Sequence, residues 1–211
     1  MRTRIAVFVV MLVVGGCGLA GCSHQNAIDG GGRMAANMSA LIQSELTGQG
    51  EDMSAENRSI LENAAQAGAI SQDMYDEASS TYQSCVAGLG DDVNWVKQPS
   101  GVYKGDPQAT DNAALDKYSN DCAICAADGF ASIESLFQLQ IWNPGLYSDQ
   151  YEAMYVCISK KGNYLDGVSL DDFRSQVQIA MKGNGPSVIT LVDPSNPDVE
   201  ACLCGNGLCY G

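Results

Sequence analysis

Apolar residues recur at helical spacing in six stretches of this chain. Residues 33–47 carry Met34, Met38, Leu41, Ile42 and Leu46 on one face, with Gly48 placed to stop a helix. Ser54 is positioned to cap a second helix through Ile60, Leu61 and Ala64 to Gly68. Ser71 caps a third, in which Met74, Tyr75, Ala78, Tyr82, Cys85 and Val86 form one stripe. Asp111 opens a fourth with Ala114, Leu115, Tyr118, Cys122 and Cys125 on its face and Gly129 as its stop. A fifth begins near Ser148 and is striped by Tyr151, Met154, Tyr155 and Ile158. Ser169-Leu170-Asp171-Asp172 then supplies an N-cap with an acid three positions on, ahead of Phe173, Val177, Ala180 and Met181.

Between these lie short extended segments: residues 93–97, 102–104 and 187–192, the last rich in β-branched side chains. Residues 137–142 are ambiguous. Alternation in Phe137-Gln138-Leu139-Gln140-Ile141 suits a strand, whereas Ile133, Leu136, Phe137 and Ile141 suit a helix. The run Asp193-Pro194-Ser195-Asn196-Pro197-Asp198 breaks the chain ahead of a cysteine-rich end. Tyr75, Cys85 and Gly90 recur at the same spacing as Tyr147, Cys157 and Gly162, so two helix endings resemble each other. The expected fold is α+β and mainly helical, a single disulfide-stabilised domain with a few short strands and a cysteine-rich C-terminal tail. Four segments follow: 1–21 as an export signal, 22–32 as a tether, 33–192 as the globular domain and 193–211 as the tail.

The signal reading rests on Arg2 and Arg4, the apolar run 5–14, and small residues up to Cys22. That run is about half of the roughly 20 residues a spanning helix needs. Leu19-Ala20-Gly21-Cys22 resembles the lipobox of bacterial lipoprotein precursors, which implies cleavage before Cys22 and its acylation, palmitate being one such chain. One acyl chain binds a membrane only marginally, and stable anchoring takes a second. Residues 23–32 end in Gly30-Gly31-Gly32 and read as a flexible spacer carrying His24, the one histidine. Histidine-dependent triads and multi-histidine zinc sites are therefore disfavoured.

Loss of the signal would take two of the 11 basic residues and none of the 25 acidic ones, for a formal charge of −16. Nucleic acid is excluded as a partner on that balance, because a basic patch supplies most of its affinity. A cationic partner fits better. No P-loop, dinucleotide fingerprint or EF-hand motif is present, so no cofactor is expected.

Setting aside Cys17 in the signal and Cys22 on lipid, Cys85, Cys122, Cys125, Cys157, Cys202, Cys204 and Cys209 remain. An exported setting makes all seven disulfide candidates, and the odd count leaves at least one unpaired within the chain. Cys202 and Cys204 are too close to bridge each other easily. Cys122-Ala-Ile-Cys125 raises two sharper alternatives, a dithiol redox pair or half of a thiolate zinc site with the C-terminal cysteines. The pair sits late in its helix after Asp121, which disfavours the thiolate, and exported thiols tend to oxidise before they bind metal. No catalytic residue and no metal ligand is assigned. The nine tyrosines and two tryptophans could line a glycan or peptide groove, but the tyrosines at helical spacing read first as core, with the hydroxyl reaching the rim.

Three stretches, SQDMYDEASSTYQSCVAGLG, YSNDCAICAADG and NPGLYSDQYEAMYVCISKKGNYLDGVSLDDFRSQV, resemble a family of exported actinobacterial lipoproteins of uncharacterised function. The likeness rests on Cys85, on Cys157 with Gly162, Tyr164 and Phe173, and on one of Cys122 or Cys125. This chain lacks a proline-rich turn between Gly162 and Ser169 and adds the cysteine tail. The resemblance implies proximity to envelope transport machinery. The expected protein is thus a lipid-anchored module on the extracytoplasmic face of the cell membrane. It is expected to be non-enzymatic, binding or assisting an envelope or transporter protein. The alternatives are a thiol-disulfide oxidoreductase using Cys122 and Cys125, or a carboxylate-dependent hydrolase of envelope polymers.

Overall fold

The computed structural model of the chain describes residues 32–49, 53–185 and 188–208. Eight α-helices, one π-helical turn and one two-stranded sheet make up the described residues, a mainly helical α+β fold with two fully described disulfides. The helices are α1 (Met38–Gln49), α2 (Ala55–Ala67), α3 (Gln72–Gly88), α4 (Asn112–Ala126), α5 (Phe130–Trp142), α6 (Gln150–Lys161), α7 (Leu170–Ile179) and α8 (Pro197–Gly205). The π-helical turn, Ala180–Asn184, continues α7. Strands β1 (Val93–Lys97) and β2 (Tyr103–Pro107) pair antiparallel between α3 and α4, with Trp95 opposite Gly105 and Lys97 opposite Tyr103. No helix among the described residues is long and apolar enough to cross a membrane alone.

Helix starts follow the side chains able to satisfy the orphan N–H groups of a first turn. The Oγ atoms of Ser54, Ser71 and Ser169 accept from the N–H of Asn57, Met74 and Asp172 at 3.1, 3.2 and 3.1 Å, and Asp111 accepts from Ala114 at 2.9 Å. For α6 the cap is Asp149 rather than Ser148. Asp149 Oδ1 accepts from Tyr151 and Glu152, while Ser148 N–H donates to Gly32 O. Gly129 serves the start of α5 rather than the end of α4: at φ +114° it lets the chain turn by 88° between the two helices. A Cβ there would stand 2.4 Å from Met53 Cγ, so glycine is needed both for the backbone and for the space.

Two hydrophobic cores form. The first joins α1, α2, α3 and α5 through Ile42, Leu61, Tyr75, Ile133 and Phe137. The second joins α6, α7 and α8 through Met154, Ile158, Phe173, Val177, Val199 and Leu203. Burial of each such large apolar side chain contributes about 1.5–3 kcal/mol. Trp142, the last residue of α5, packs against both cores and lies so close to Gly205 that a Cβ there would meet its indole at 2.2 Å. One disulfide lies within the second core, Cys157–Cys202 tying α6 to α8, and the other, Cys85–Cys125, ties α4 to α3 beside the first core. The similar spacing around Cys85 and Cys157 therefore marks two similar staples. It does not extend to the tyrosines, since Tyr75 lies inside α3 while Tyr147 precedes α6 and bridges Arg33.

Three local readings differ from the sequence. Residues 137–142 are the end of α5, whose buried Ile133, Leu136 and Phe137 follow helical spacing. Residues 188–192 are not a strand: the backbone N–H groups of Thr190 and Leu191 donate to Gln176 Oε1 on α7, at 2.7 and 3.2 Å, so a side chain occupies the place of a ladder. The proline-containing break initiates α8, with Asn196 as N-cap and Pro197 at the first helical position, where a missing N–H costs nothing. This helix buries Val199, Cys202 and Leu203 in the second core.

Candidate functional site

The first core opens on one side into a cavity of about 330 Å³. Tyr75, Ser79 and Tyr82 reach it from successive turns of α3, Trp95 and Tyr103 from the hairpin, and Phe130 and Glu134 from successive turns of α5. Positions i, i+4 and i+7 of a helix share a face, which is why the α3 residues converge. Gly105 lets the hairpin close over them. A Cβ on it would lie 2.7 Å from Trp95 Cζ3 and 2.8 Å from Tyr118 Oη, so the indole rests where only glycine leaves room.

The rings support one another. Tyr75 stacks on Phe137 with centroids 4.1 Å apart, Tyr82 stacks on Phe130 at 4.2 Å, and Trp95 meets Tyr82 edge-on at 5.7 Å. Such pairs add to simple burial and fix ring orientation. The wall facing the cavity is therefore aromatic and firmly held.

Glu134 is the one carboxylate among the lining residues. Its Oε2 accepts from Tyr75 Oη at 2.5 Å and its Oε1 from Gln138 Nε2. Tyr75 Oη in turn accepts from the backbone N–H of Tyr103 at 3.2 Å, so α3, β2 and α5 meet at one hydroxyl. Burial pushes the Glu134 carboxyl above its ordinary value, against the opposing effect of these two donors. Burial likewise raises the Tyr75 phenol, with the Glu134 hydrogen bond adding to it, so it stays protonated and continues to donate. No lysine or arginine among the described residues pairs with Glu134. Lys97, whose Nζ lies 5.4 Å from the Tyr103 ring centroid, is engaged by Asp76 at 2.7 Å.

Behind Tyr82 lies Cys122, a free thiol. Burial first, and Cys122 second, raise the phenols of Tyr82 and Tyr118, the latter to about 12. Cys122 and Cys125 are not joined to each other, because Cys125 is bonded to Cys85 with their Cα atoms 5.8 Å apart. A dithiol couple of the kind the Cys-x2-Cys spacing suggested is thus not assembled. Of the seven disulfide candidates, Cys85, Cys125, Cys157 and Cys202 form the two pairs, Cys204 is also disulfide-bonded, and Cys122 is unpaired. Cys209, the expected lipidation site Cys22 and His24 lie outside the described residues. Among the described residues no three His, Cys, Asp or Glu side chains converge as ligands of a metal ion would.

The sequence signalled Tyr75 and Tyr82 as a core stripe, counted Trp95 only among the aromatics of a possible groove, and gave Glu134 no place in a site. Glu134 meets Tyr75 across 59 positions of sequence, and no local pattern encodes that pairing. The available signal was its place in α5, the one charged residue of that helix and one position after the buried Ile133. No protein-family model, no curated protein and no solved structure matches this chain.

Proposed function

We propose that the chain is a lipid-anchored, non-enzymatic binding module of the cell envelope, held by acylated Cys22 on the extracytoplasmic face and serving an envelope or transporter protein. The observation that carries the binding role is the aromatic cavity between α3, the hairpin and α5, with one acid in its wall. A concave, mostly apolar site with a few fixed polar groups is the usual form of a small-molecule site. Two paired cysteine sets suit an oxidising compartment, in keeping with the signal and lipobox. The tether confines the body near the membrane and raises its effective concentration for neighbours there. The oxidoreductase alternative is weakened by the engagement of Cys125 with Cys85, and the hydrolase alternative by the absence of a second carboxylate from the cavity lining.

The test is a thermal-shift screen of envelope solutes on the full-length chain in non-ionic detergent, joined to crosslinking in intact cells. A solute whose stabilisation disappears in Tyr82→Ala, or a neighbour captured only when Cys22 is present, supports the reading. Disulfide reductase or polymer hydrolase turnover that is lost in Cys122→Ser or Glu134→Gln overturns it.

A further inference from the structure

The cavity's charge arrangement narrows what it could hold. Glu134 keeps its carboxylate beside Tyr75, Tyr82, Trp95, Tyr103 and Phe130, with donors on both oxygens and no basic partner among the described residues. Aromatic faces carry negative potential, and a cation near several of them is attracted most strongly when water is excluded. An acid in the same wall, without a basic partner among the described residues, adds a charge of the same sign when it is ionised, and a cation beside it favours that ionised form. An anion is repelled by both features, and a neutral solute gains from Glu134 a hydrogen bond at most, without the attraction between opposite charges.

The hydrogen-bonding capacity left in the wall narrows it further. Tyr75 Oη already donates to Glu134 and accepts from Tyr103, Ser79 Oγ accepts from Gln83 at 2.9 Å, and the Ser135 hydroxyl adds one acceptor beside Glu134, fewer than three separate acceptors in all. A primary ammonium brings three donors and needs acceptors for each when it leaves water. An alkylated ammonium has few or none, and its methyl groups lie against rings without that cost. The volume, about 330 Å³, suits a small ion rather than a folded segment.

We infer that this cavity binds a small alkylated ammonium ion, a free solute with its cationic nitrogen beside Glu134 and its methyl groups against the aromatic wall. The inference rests on the binding-module reading and names its ligand class. The site asks for no covalent step.

Isothermal titration of the full-length chain in non-ionic detergent compares choline with 3,3-dimethylbutan-1-ol, which has the same shape with carbon in place of the charged nitrogen. Choline should bind at least about tenfold more tightly, a difference of about 1.4 kcal/mol. Glu134→Gln retains an acceptor for Tyr75 and should bring choline to the level of the neutral isostere while the near-ultraviolet spectrum of the folded protein is unchanged. Glycerophosphocholine, a soluble stand-in for a lipid headgroup, should bind more weakly than choline because its phosphate is repelled by the same acid. Equal binding of choline and the alcohol overturns the inference, as does unchanged choline affinity in Glu134→Gln, and tighter glycerophosphocholine binding overturns the free-solute assignment. If choline fails while a neutral or anionic solute protects the cavity in a Tyr82-dependent way, the ligand class is wrong and the binding module stands.

Discussion

Removing the Cys85–Cys125 bond should free one helix, while removing Cys157–Cys202 should undermine a core. The two bonds close loops of similar length, 40 and 45 residues apart in sequence. Since loop entropy depends on the logarithm of that length, each contributes about 4 kcal/mol in the chain-entropy account. What differs is the surroundings. Cys157 and Cys202 are 4% and 0% exposed within the second core, so alanine at both leaves a void in addition to the lost constraint. Cys85 is exposed, and α4 buries no residue fully except Cys125 itself. Apart from the bond, α4 is held by partly buried side chains and by Lys117, which bridges Asp91 and Asp121 at 2.9 and 2.6 Å. The lysine is half exposed and shares its one charge between the two carboxylates, so these pairs are too weak to replace the bond. In Cys157→Ala/Cys202→Ala, calorimetry should show the main transition lowered by roughly 8–16 °C or more, at about 2–4 °C per kcal/mol for a chain of this size. In Cys85→Ala/Cys125→Ala, hydrogen exchange should show residues 112–126 losing protection while α3 and α5 keep most of theirs. Protection of α4 matching that of α3 in the second variant would refute the reasoning.

Four further outcomes are expected. Cys22→Ser should move the protein from the membrane fraction to the soluble one, and retention after sodium carbonate washing would contradict the lipid anchor. Alkylation of unfolded, unreduced protein followed by peptide mapping should mark Cys122, and an unlabelled Cys122 would contradict its free thiol. Gly105→Ala should force Trp95 and Tyr118 apart, destabilise by about 1–3 kcal/mol as overpacking does, and shift the tryptophan emission; an unchanged spectrum would deny the close approach. The Glu134 carboxyl is raised by burial, so the folded state holds its proton more tightly than the unfolded chain does. The stability this group contributes is present below the unfolded carboxyl value of about 4.3 and is lost as pH rises from there through the raised folded value. Urea titrations of Glu134→Gln should accordingly lack that decline and show stability at pH 7 equal to or above the parent.

Where a structural choice is made within a few residues, the chain announces it. Ser54, Ser71, Asp111 and Ser169 could be read as caps because each side chain serves an N–H three positions away. The two strands were legible as extended segments, the first with its observed bounds and the second as 102–104 where the strand is Tyr103–Pro107, but their pairing was not read. Choices made between distant segments were not legible. Residues 187–192 have β-branched composition, but a strand needs a neighbour with free backbone groups, and at Thr190 and Leu191 the neighbour is the Gln176 amide. The Asn196-Pro197 helix start was visible in principle, yet the two prolines and the cysteine cluster drew the reading toward a tail. Disulfide partners and the Tyr75–Glu134 contact join helices whose packing no local pattern specifies. The candidate site was therefore half legible: its α3 face could be read as a stripe, but the hairpin and α5 walls required the tertiary arrangement.

The way the chain enters the fold sets how it would carry load. Gly32 O accepts from the N–H of Ser148, Arg33 bridges Tyr147 and lays its guanidinium 5.4 Å from that ring's centroid, and Met34 N–H donates to Leu146 O at 2.7 Å. A pull on the chain ahead of Gly32 is thus taken first by the segment joining α5 to α6, next to the Trp142 joint between the two cores, and only afterwards by α1. The clasp acts as a strain relief: tension on the preceding chain would be spent on a few backbone hydrogen bonds at the seam before it could unwind the first helix or distort the aromatic cavity beyond it.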